Sequence, residues 1–222
     1  MNAPLPELEE LATKLYAAVL SDVLDELGFM SQALRPFVRP LDETIVLCGL
    51  ARTGLYRKTY HVEAGRNPYQ IEMDLIDSLQ AGEVAVLACD GPTDRIAPWG
   101  ELLTTASRMR GAAGCVTDGL VRDVRRIREM RFPVFAGGIG PLDTKGRAEM
   151  IAMDVPVEIA GVRAEPGDLV FGDVDGCVVV PKEIAPQALA RALDKVSAED
   201  RTRAALLAGE SLNAVFRRFG VL

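Results

Sequence analysis

Apolar side chains recur at three- and four-residue spacing from residue 7 to residue 27, at Leu8, Leu11, Leu15, Val19, Val23 and Leu27, and Gly28 follows as a C-terminal stop. This spacing predicts one amphipathic helix over 7–27. Residues 45–53 and 84–89 are apolar runs of strand length, and a helix is expected over 69–79 between them. From residue 84 onward the order is strand 84–89, helix 100–110, strand 114–118, helix 122–131 and strand 133–136. Such alternation implies parallel strands joined by right-handed crossovers, an α/β class. From 155 to 181 the chain turns β-rich, with tight turns at Pro166-Gly167-Asp168 and Asp175-Gly176, and a second sheet layer is expected there. A helix over 187–207, stopped by Gly209, and a short tail ending at Leu222 close the pattern. With no internal repeat and no low-complexity linker, a single domain over 1–222 is expected.

The chain has 222 residues, of which 49% are hydrophobic, enough for one sizeable core. Its formal charge of -7 argues against a nucleic-acid footprint, where a basic stripe would neutralise phosphates. Arginine far outnumbers lysine, and a guanidinium fork suits carboxylates. Cys48, Cys89, Cys115 and Cys177 are widely spaced, form no C-x-x-C pair, and read as buried free thiols rather than a disulfide framework. The start, MNAPLPELEE, is acidic and lacks the basic and apolar regions of a signal peptide. No window approaches the roughly 20 apolar residues of a membrane span. A cytoplasmic protein with a small-molecule ligand is the default expectation, with no nucleic-acid or membrane partner.

In a parallel sheet the ligand lies beyond the carboxyl ends of the strands, here 90–101, 118–123 and 136–140. Two of these places carry Trp99-Gly100-Glu101-Leu102-Leu103 and Asp118-Gly119-Leu120-Val121-Arg122-Asp123, each a strand-to-helix junction marked by glycine. Two helix N-termini would then face one crevice. Asp123 can be read simply as a helix-start acid that complements the macrodipole, an effect of roughly 0.3–1 kcal/mol. The functional reading gains from Glu101, which holds the same topological place one unit earlier. Two carboxylates and an arginine converging on one crevice call for a shared ligand, and a hard divalent ion such as Mg²⁺ or Mn²⁺ with a small carboxylate satisfies them. Zinc would want His or Cys ligands, and the single histidine, His61, has no partner motif. Gly138-Ile139-Gly140-Pro141 lacks the third glycine of a dinucleotide fingerprint and reads as a turn near the crevice. Asp173-Val174-Asp175-Gly176 lacks the spacing of a calcium loop and reads as a hairpin turn. Of the five lysines only Lys145 lies near the strand ends, in a polar loop unsuited to Schiff-base chemistry.

Trp99-Gly100-Glu101-Leu102-Leu103, Asp118-Gly119-x-x-Arg122-Asp123, Phe132-Pro133-Val134-Phe135, Val155-Pro156-Val157 with Gly161, Pro166-Gly167-Asp168, Asp173-x-Asp175-Gly176, Gly49-x-Ala51-x-Thr53 and Ser21-Asp22 together resemble the RraA-like family. That family includes 4-hydroxy-4-methyl-2-oxoglutarate/4-carboxy-4-hydroxy-2-oxoadipate aldolases. The resemblance covers nearly the whole chain. It implies a three-layer β/β/α fold, a homotrimer or dimer of trimers, and a class II, metal-dependent aldolase that cleaves a 4-hydroxy-2-oxo acid to pyruvate and also decarboxylates oxaloacetate. Carried over by motif, Arg122 grips the substrate carboxylate, Asp123 ligates the metal, Glu101 holds water at the metal, and Gly100, Glu101, Leu102 and Leu103 contact the substrate. In the aldolases a glutamate from the neighbouring subunit joins the metal's outer shell, and Glu199 is the match here. Residues 59–79 depart from the pattern of the characterised aldolases, so the distal end of the substrate is expected to differ. The family also contains the inhibitor of ribonuclease E, which makes a non-catalytic regulator the alternative.

These expectations combine into a mechanism in which the metal and Arg122 hold a 2-oxo acid and stabilise the enolate formed as a carbon–carbon bond breaks. The sequence reveals no side-chain base of suitable pKa, so the proton of the 4-hydroxyl is assigned to water beside Glu101 and Glu199.

Overall fold

The computed structural model describes residues 8–221. The expected helix start at Glu7, the segment before it and the last tail residue, Leu222, lie outside them. In chain order the elements are α1 (Leu8–Lys14), α2 (Ala17–Glu26), β1 (Arg39–Pro40), β2 (Leu47–Lys58), α3 (Gln70–Ser78), β3 (Glu83–Ala88) and α4 (Glu101–Met109). They continue as β4 (Gly114–Val121), α5 (Val124–Met130), β5 (Val134–Ile139), β6 (Ala148–Met153), β7 (Val157–Ile159), β8 (Val162–Ala164), β9 (Leu169–Asp173) and β10 (Gly176–Val180). The long α6 (Ala185–Leu207) and α7 (Leu212–Phe219) end the chain.

The single helix expected over 7–27 is two. Tyr16 is extended (φ -143°, ψ 157°), and α2 restarts at Ala17, whose N–H donates to the Asp173 carboxylate at 2.7 Å. Leu11 and Leu15 before the break and Val19, Leu20 and Val23 after it are buried in one cluster with α6 and the β9–β10 face. Because both helices bury the same face, the apolar period survives the break. Gly28 stops α2 in the left-handed region (φ +89°), as its position after the periodic run implied.

Strands β2, β3, β4 and β5 are parallel neighbours, connected in order through α3, α4 and α5. The expected βαβ core is therefore present. Strand β3 displays its alternation directly: Val84, Val86 and Ala88 face one core with Val116, Phe135 and Val179, while Ala85, Leu87 and Cys89 face another with Leu75, Trp99 and Ile127. The sheet runs β1-β5-β4-β3-β2-β9-β10, and β6 also pairs with β2. At twelve residues β2 is longer than the expected 45–53, and its free edge is shared. β9 takes Leu47–Leu50 and β6 takes Gly54–Lys58, both antiparallel. The β-rich half is thus not a separate sheet throughout. Among the described residues only the β7–β8 hairpin forms a second β layer, with Val157, Ile159 and Val162 packed into the inner core, while β9 and β10 extend the main sheet. The sheet's two ends nearly meet, since Arg39 on β1 donates to the carbonyls of Val174 and Asp175 in the β9–β10 turn. That turn is the expected hairpin, set one residue earlier than the predicted Asp175-Gly176, since Asp173 pairs with Gly176 and the loop is Val174–Asp175.

The tail contains a helix that the sequence pattern left unassigned, α7, capped by Ser211, whose hydroxyl accepts from the Ala214 N–H. All four cysteines are buried and free. No described helix is long and apolar enough to cross a membrane.

Candidate active site

The strand predicted over 114–118 continues to Val121 through an irregularity between Thr117 and Leu120. This moves Asp118 out of the crevice where the sequence placed it. Asp118 is buried, and its carboxylate accepts from the N–H groups of Cys89 (2.6 Å) and Gly91 (2.8 Å), pinning the end of β3 to β4. Burial raises its pKa and those backbone donors oppose the rise. The residues at the true strand end are Arg122 and Asp123. The Arg122 N–H donates to Trp99 O, and Trp99 bridges Val121, so the segment before α4 lies alongside the end of β4. Trp99 is fully buried and its indole N–H donates to the Thr104 hydroxyl, fixing the first turn of α4.

Asp123 adopts the left-handed conformation (φ 58°, ψ 28°) and makes no side-chain cap on its own helix, α5. Its Oδ2 instead accepts from the Glu101 N–H at 3.2 Å, so the carboxylate caps the neighbouring helix α4. The helix-start reading was right in kind but assigned it to the wrong helix. Among the described residues the N–H groups of Leu102 and Leu103 donate to no protein acceptor, as expected in a first helical turn. Gly100 is extended, a conformation open to any residue, but a Cβ there would lie 2.7 Å from Asp123 Oδ2 and 3.1 Å from Arg122 Cγ. Glycine is needed for this close approach.

These residues wall a cleft of about 210 Å³ together with Tyr69, Glu72 and Met73 of the α3 region, Ala97, Pro98 and Trp99, and Asp143 and Thr144 from the loop after β5. Arg122, Asp123, Gly100, Leu102 and Leu103 are thus brought together as the motifs implied. The third expected wall, 136–140, is replaced by Asp143 and Thr144, because β5 runs on to Ile139 before the chain turns. Glu101 stands at the rim, its Oε1 accepting from the Thr105 hydroxyl, and is not among the lining residues. Glu199 lies on α6, where the Tyr16 hydroxyl donates to its Oε2, and does not line the cleft of its own chain. Burial raises the Glu199 pKa, with Arg203 opposing. His61 is exposed in the loop after β2.

Sequence reasoning missed three polar groups in the cleft. The Tyr69 hydroxyl donates to Asp143 Oδ2 at 2.6 Å, and Arg122 Nη1 lies 3.6 Å from Asp143 Oδ1. Partial burial pushes Asp143 up, but the Tyr69 hydroxyl, the Thr144 N–H and Arg122 together hold it below the ordinary carboxylate value. Glu72 is only 8% exposed, and the Tyr56 hydroxyl donates to its Oε2 at 2.6 Å. Burial pushes Glu72 up to about 7, against the opposing Tyr56 hydrogen bond. Its signal was visible as an acid on the buried face of a predicted helix, three residues after Tyr69.

The donor set can be tested against a divalent ion. No group of three or more His, Cys, Asp or Glu side chains gathers to hold a metal among the described residues. Asp123 Oδ1 accepts no hydrogen bond from any of them, leaving one anionic oxygen open beside Arg122 and the α4 amides. One carboxylate completed by water and ligand oxygens suits Mg²⁺, which keeps much of its hydration. The residues fit such an ion.

A family model described as Aldolase/RraA matches residues 17–179. The Legionella pneumophila protein DlpA is 29% identical over 94% of this chain, which spans 33% of that protein's length. A Halalkalibacterium halodurans protein whose name proposes a 4-hydroxy-4-methyl-2-oxoglutarate aldolase is 31% identical, over 83% of this chain and 80% of its own. The crystal structure of Streptomyces coelicolor RraAS2, described as an unusual member of the RNase ES inhibitor RraA protein family, is 29% identical and matches with a TM-score of 0.79 over 91% of this chain and 98% of that one. With the family model matched from α2 to β10 and the same fold found in RraAS2, this chain belongs to the RraA-like family.

Proposed function

We propose that this protein is a carbon–carbon lyase that releases pyruvate from a 4-hydroxy-2-oxo acid, a class II aldolase with oxaloacetate decarboxylase activity supported by Mg²⁺ or Mn²⁺. The observation that carries this reading is the corner where Arg122, the open oxygen of Asp123 and the free Leu102 and Leu103 amides meet in one cleft. A 2-oxo acid presents a carboxylate next to a carbonyl, and this corner supplies a guanidinium fork and backbone donors for those oxygens. Asp123 would hold the ion directly and Glu101 would lie beside its water. When bound, the ion supplies a Lewis acid for the negative charge that develops on the 2-oxo oxygen. Arg122 fixes the carboxylate, Gly100 leaves room for Arg122 and Asp123 beside the start of α4, and the buried Trp99–Thr104 pair holds the first turn of α4 at the cleft. Glu199 would complete the site of a neighbouring subunit in a homotrimer or dimer of trimers.

The likeness to RraAS2 favours the second reading, a regulator that binds a ribonuclease and keeps the cleft for another ligand. The two separate cleanly. Purified protein with Mg²⁺ should release pyruvate from 4-hydroxy-4-methyl-2-oxoglutarate and from oxaloacetate, and EDTA should abolish both. Absence of pyruvate together with inhibition of ribonuclease E would establish the regulator instead.

A further inference from the structure

Aldol cleavage has a step that decarboxylation lacks. The proton of the 4-hydroxyl must leave as the C3–C4 bond breaks, so that the C4–O bond becomes a carbonyl while the electron pair passes to C3. Among the described residues four acids stand in or beside the cleft. Asp123 is tied to the Glu101 N–H, Asp143 to the Tyr69 hydroxyl and to Arg122, and Glu101 to Thr105 at the rim. Glu72 differs from all three in its burial, and its free oxygen, unlike that of Asp123, is not assigned to the ion. It is more than nine-tenths buried, lines the cleft from α3, and has one oxygen held by Tyr56 while no described residue donates to the other.

We propose that Glu72 takes the proton from the substrate hydroxyl during carbon–carbon cleavage and returns it to C3 of the departing pyruvate enolate. This rests on the lyase reading and adds a side-chain base to it. The proton count closes within the site, since the hydrogen lost from oxygen is regained at carbon and no further reactant is needed. Tyr56 is built to position the group. Its hydroxyl fixes Oε2 from β2, behind the cleft wall, which leaves Oε1 as the reacting oxygen. The charged and titratable groups facing Glu72 are Tyr56 and Cys89 from the sheet, Tyr69 from its own helix, Asp143 from the loop after β5 and Arg122 from the end of β4. Tyr69 is pushed up to about 12 by burial and by its bond to Asp143, which leaves it a donor only. Burial dominates for Glu72 and brings it to about 7, where a carboxyl exchanges protons in both directions near neutral pH.

The test compares two reactions of one protein. Glu72→Gln keeps the shape and the Tyr56 contact but cannot accept a proton. It should lower kcat for cleavage of 4-hydroxy-4-methyl-2-oxoglutarate by at least about a hundredfold and leave carbon dioxide release from oxaloacetate, followed in a single turnover, within about threefold, because that step has no hydroxyl proton to remove and precedes protonation of C3. The wild-type cleavage rate should fall as pH drops through about 7, carbon dioxide release from oxaloacetate should not, and Tyr56→Phe should move that limb upward by removing a donor to the carboxylate. Equal losses in both reactions would make Glu72 a structural group, and an unchanged cleavage rate would make it a bystander; either overturns the proposal while leaving the lyase intact. A wild-type protein that releases pyruvate from neither substrate overturns the lyase reading and this proposal with it.

Discussion

Glu72 carries a stability signature independent of any substrate. Its folded pKa of about 7 lies above the ordinary 4.5, so the native state holds a proton that the unfolded chain releases between those values. The favourable contribution is complete below pH 4.5 and lost as pH rises through 7, and the buried charge then costs on the order of 3 kcal/mol. Glu72→Gln should therefore be more stable than wild type at pH 8.5, with the advantage shrinking toward pH 5, measured by urea midpoints at each pH. A difference independent of pH would show that Glu72 is not desolvated. At the opposite wall, Arg122→Lys keeps the charge and loses the fork, and kcat/KM should fall at least about tenfold, roughly 1.4 kcal/mol. A change within twofold would remove Arg122 from the carboxylate. Arg122 and Asp123 were legible in the sequence because they stand at a strand-to-helix junction marked by glycine. Glu72, Tyr69 and Asp143 were not, because only the packing of α3 against the loop after β5 brings those distant segments together.

Elements were legible where burial is one-sided and local. The βαβ run from β3 to β5 is written as alternating periods, and its strands and helices come in the predicted order, with β4 and β5 each running three residues past the predicted end. The break in the first helix left no trace, since what breaks it is a carboxylate from the far end of the chain. Asp173 gives one oxygen to the Ala17 N–H and the other to Asp175 N–H in its own hairpin. Asp173→Ala should leave the α2 terminus without its acceptor and destabilise the protein by about 1–2 kcal/mol, read as a lower urea midpoint with an unchanged slope. A loss below about 0.3 kcal/mol would mean that water replaces the carboxylate. Strand β6 was missed for a related reason. It pairs with the second half of a strand whose extra length the apolar run did not reveal. Lys195 reaches both Asp22 and Glu26, so α6 is pinned along α2 by contacts that no local period encodes.

At the scale of the molecule, the β-rich half was read as a separate layer because short strands and tight turns look the same in either sheet. Which edge they join depends on β2, whose free side accepts β9 and β6 in succession. The consequence for function is that α6 sits on the β9–β10 side, and Glu199 meets Tyr16 there instead of the cleft of its own chain. If Glu199 acts, it acts in trans. Asp123→Ala and Glu199→Ala subunits, each inactive alone, should then regain activity when mixed under exchange, because some interfaces combine two intact surfaces. Full activity of Glu199→Ala alone, or a monomer by light scattering, would contradict the shared site. The most direct measurement concerns the corner itself: pyruvate release from oxaloacetate by wild type and by Asp123→Ala across a Mg²⁺ titration begun in EDTA. Wild type should show no turnover without the ion and saturable recovery with it, and Asp123→Ala should remain inactive at every concentration. Metal-independent turnover by wild type, or full activity of Asp123→Ala, would contradict the assignment of this cleft as a metal-assisted lyase site.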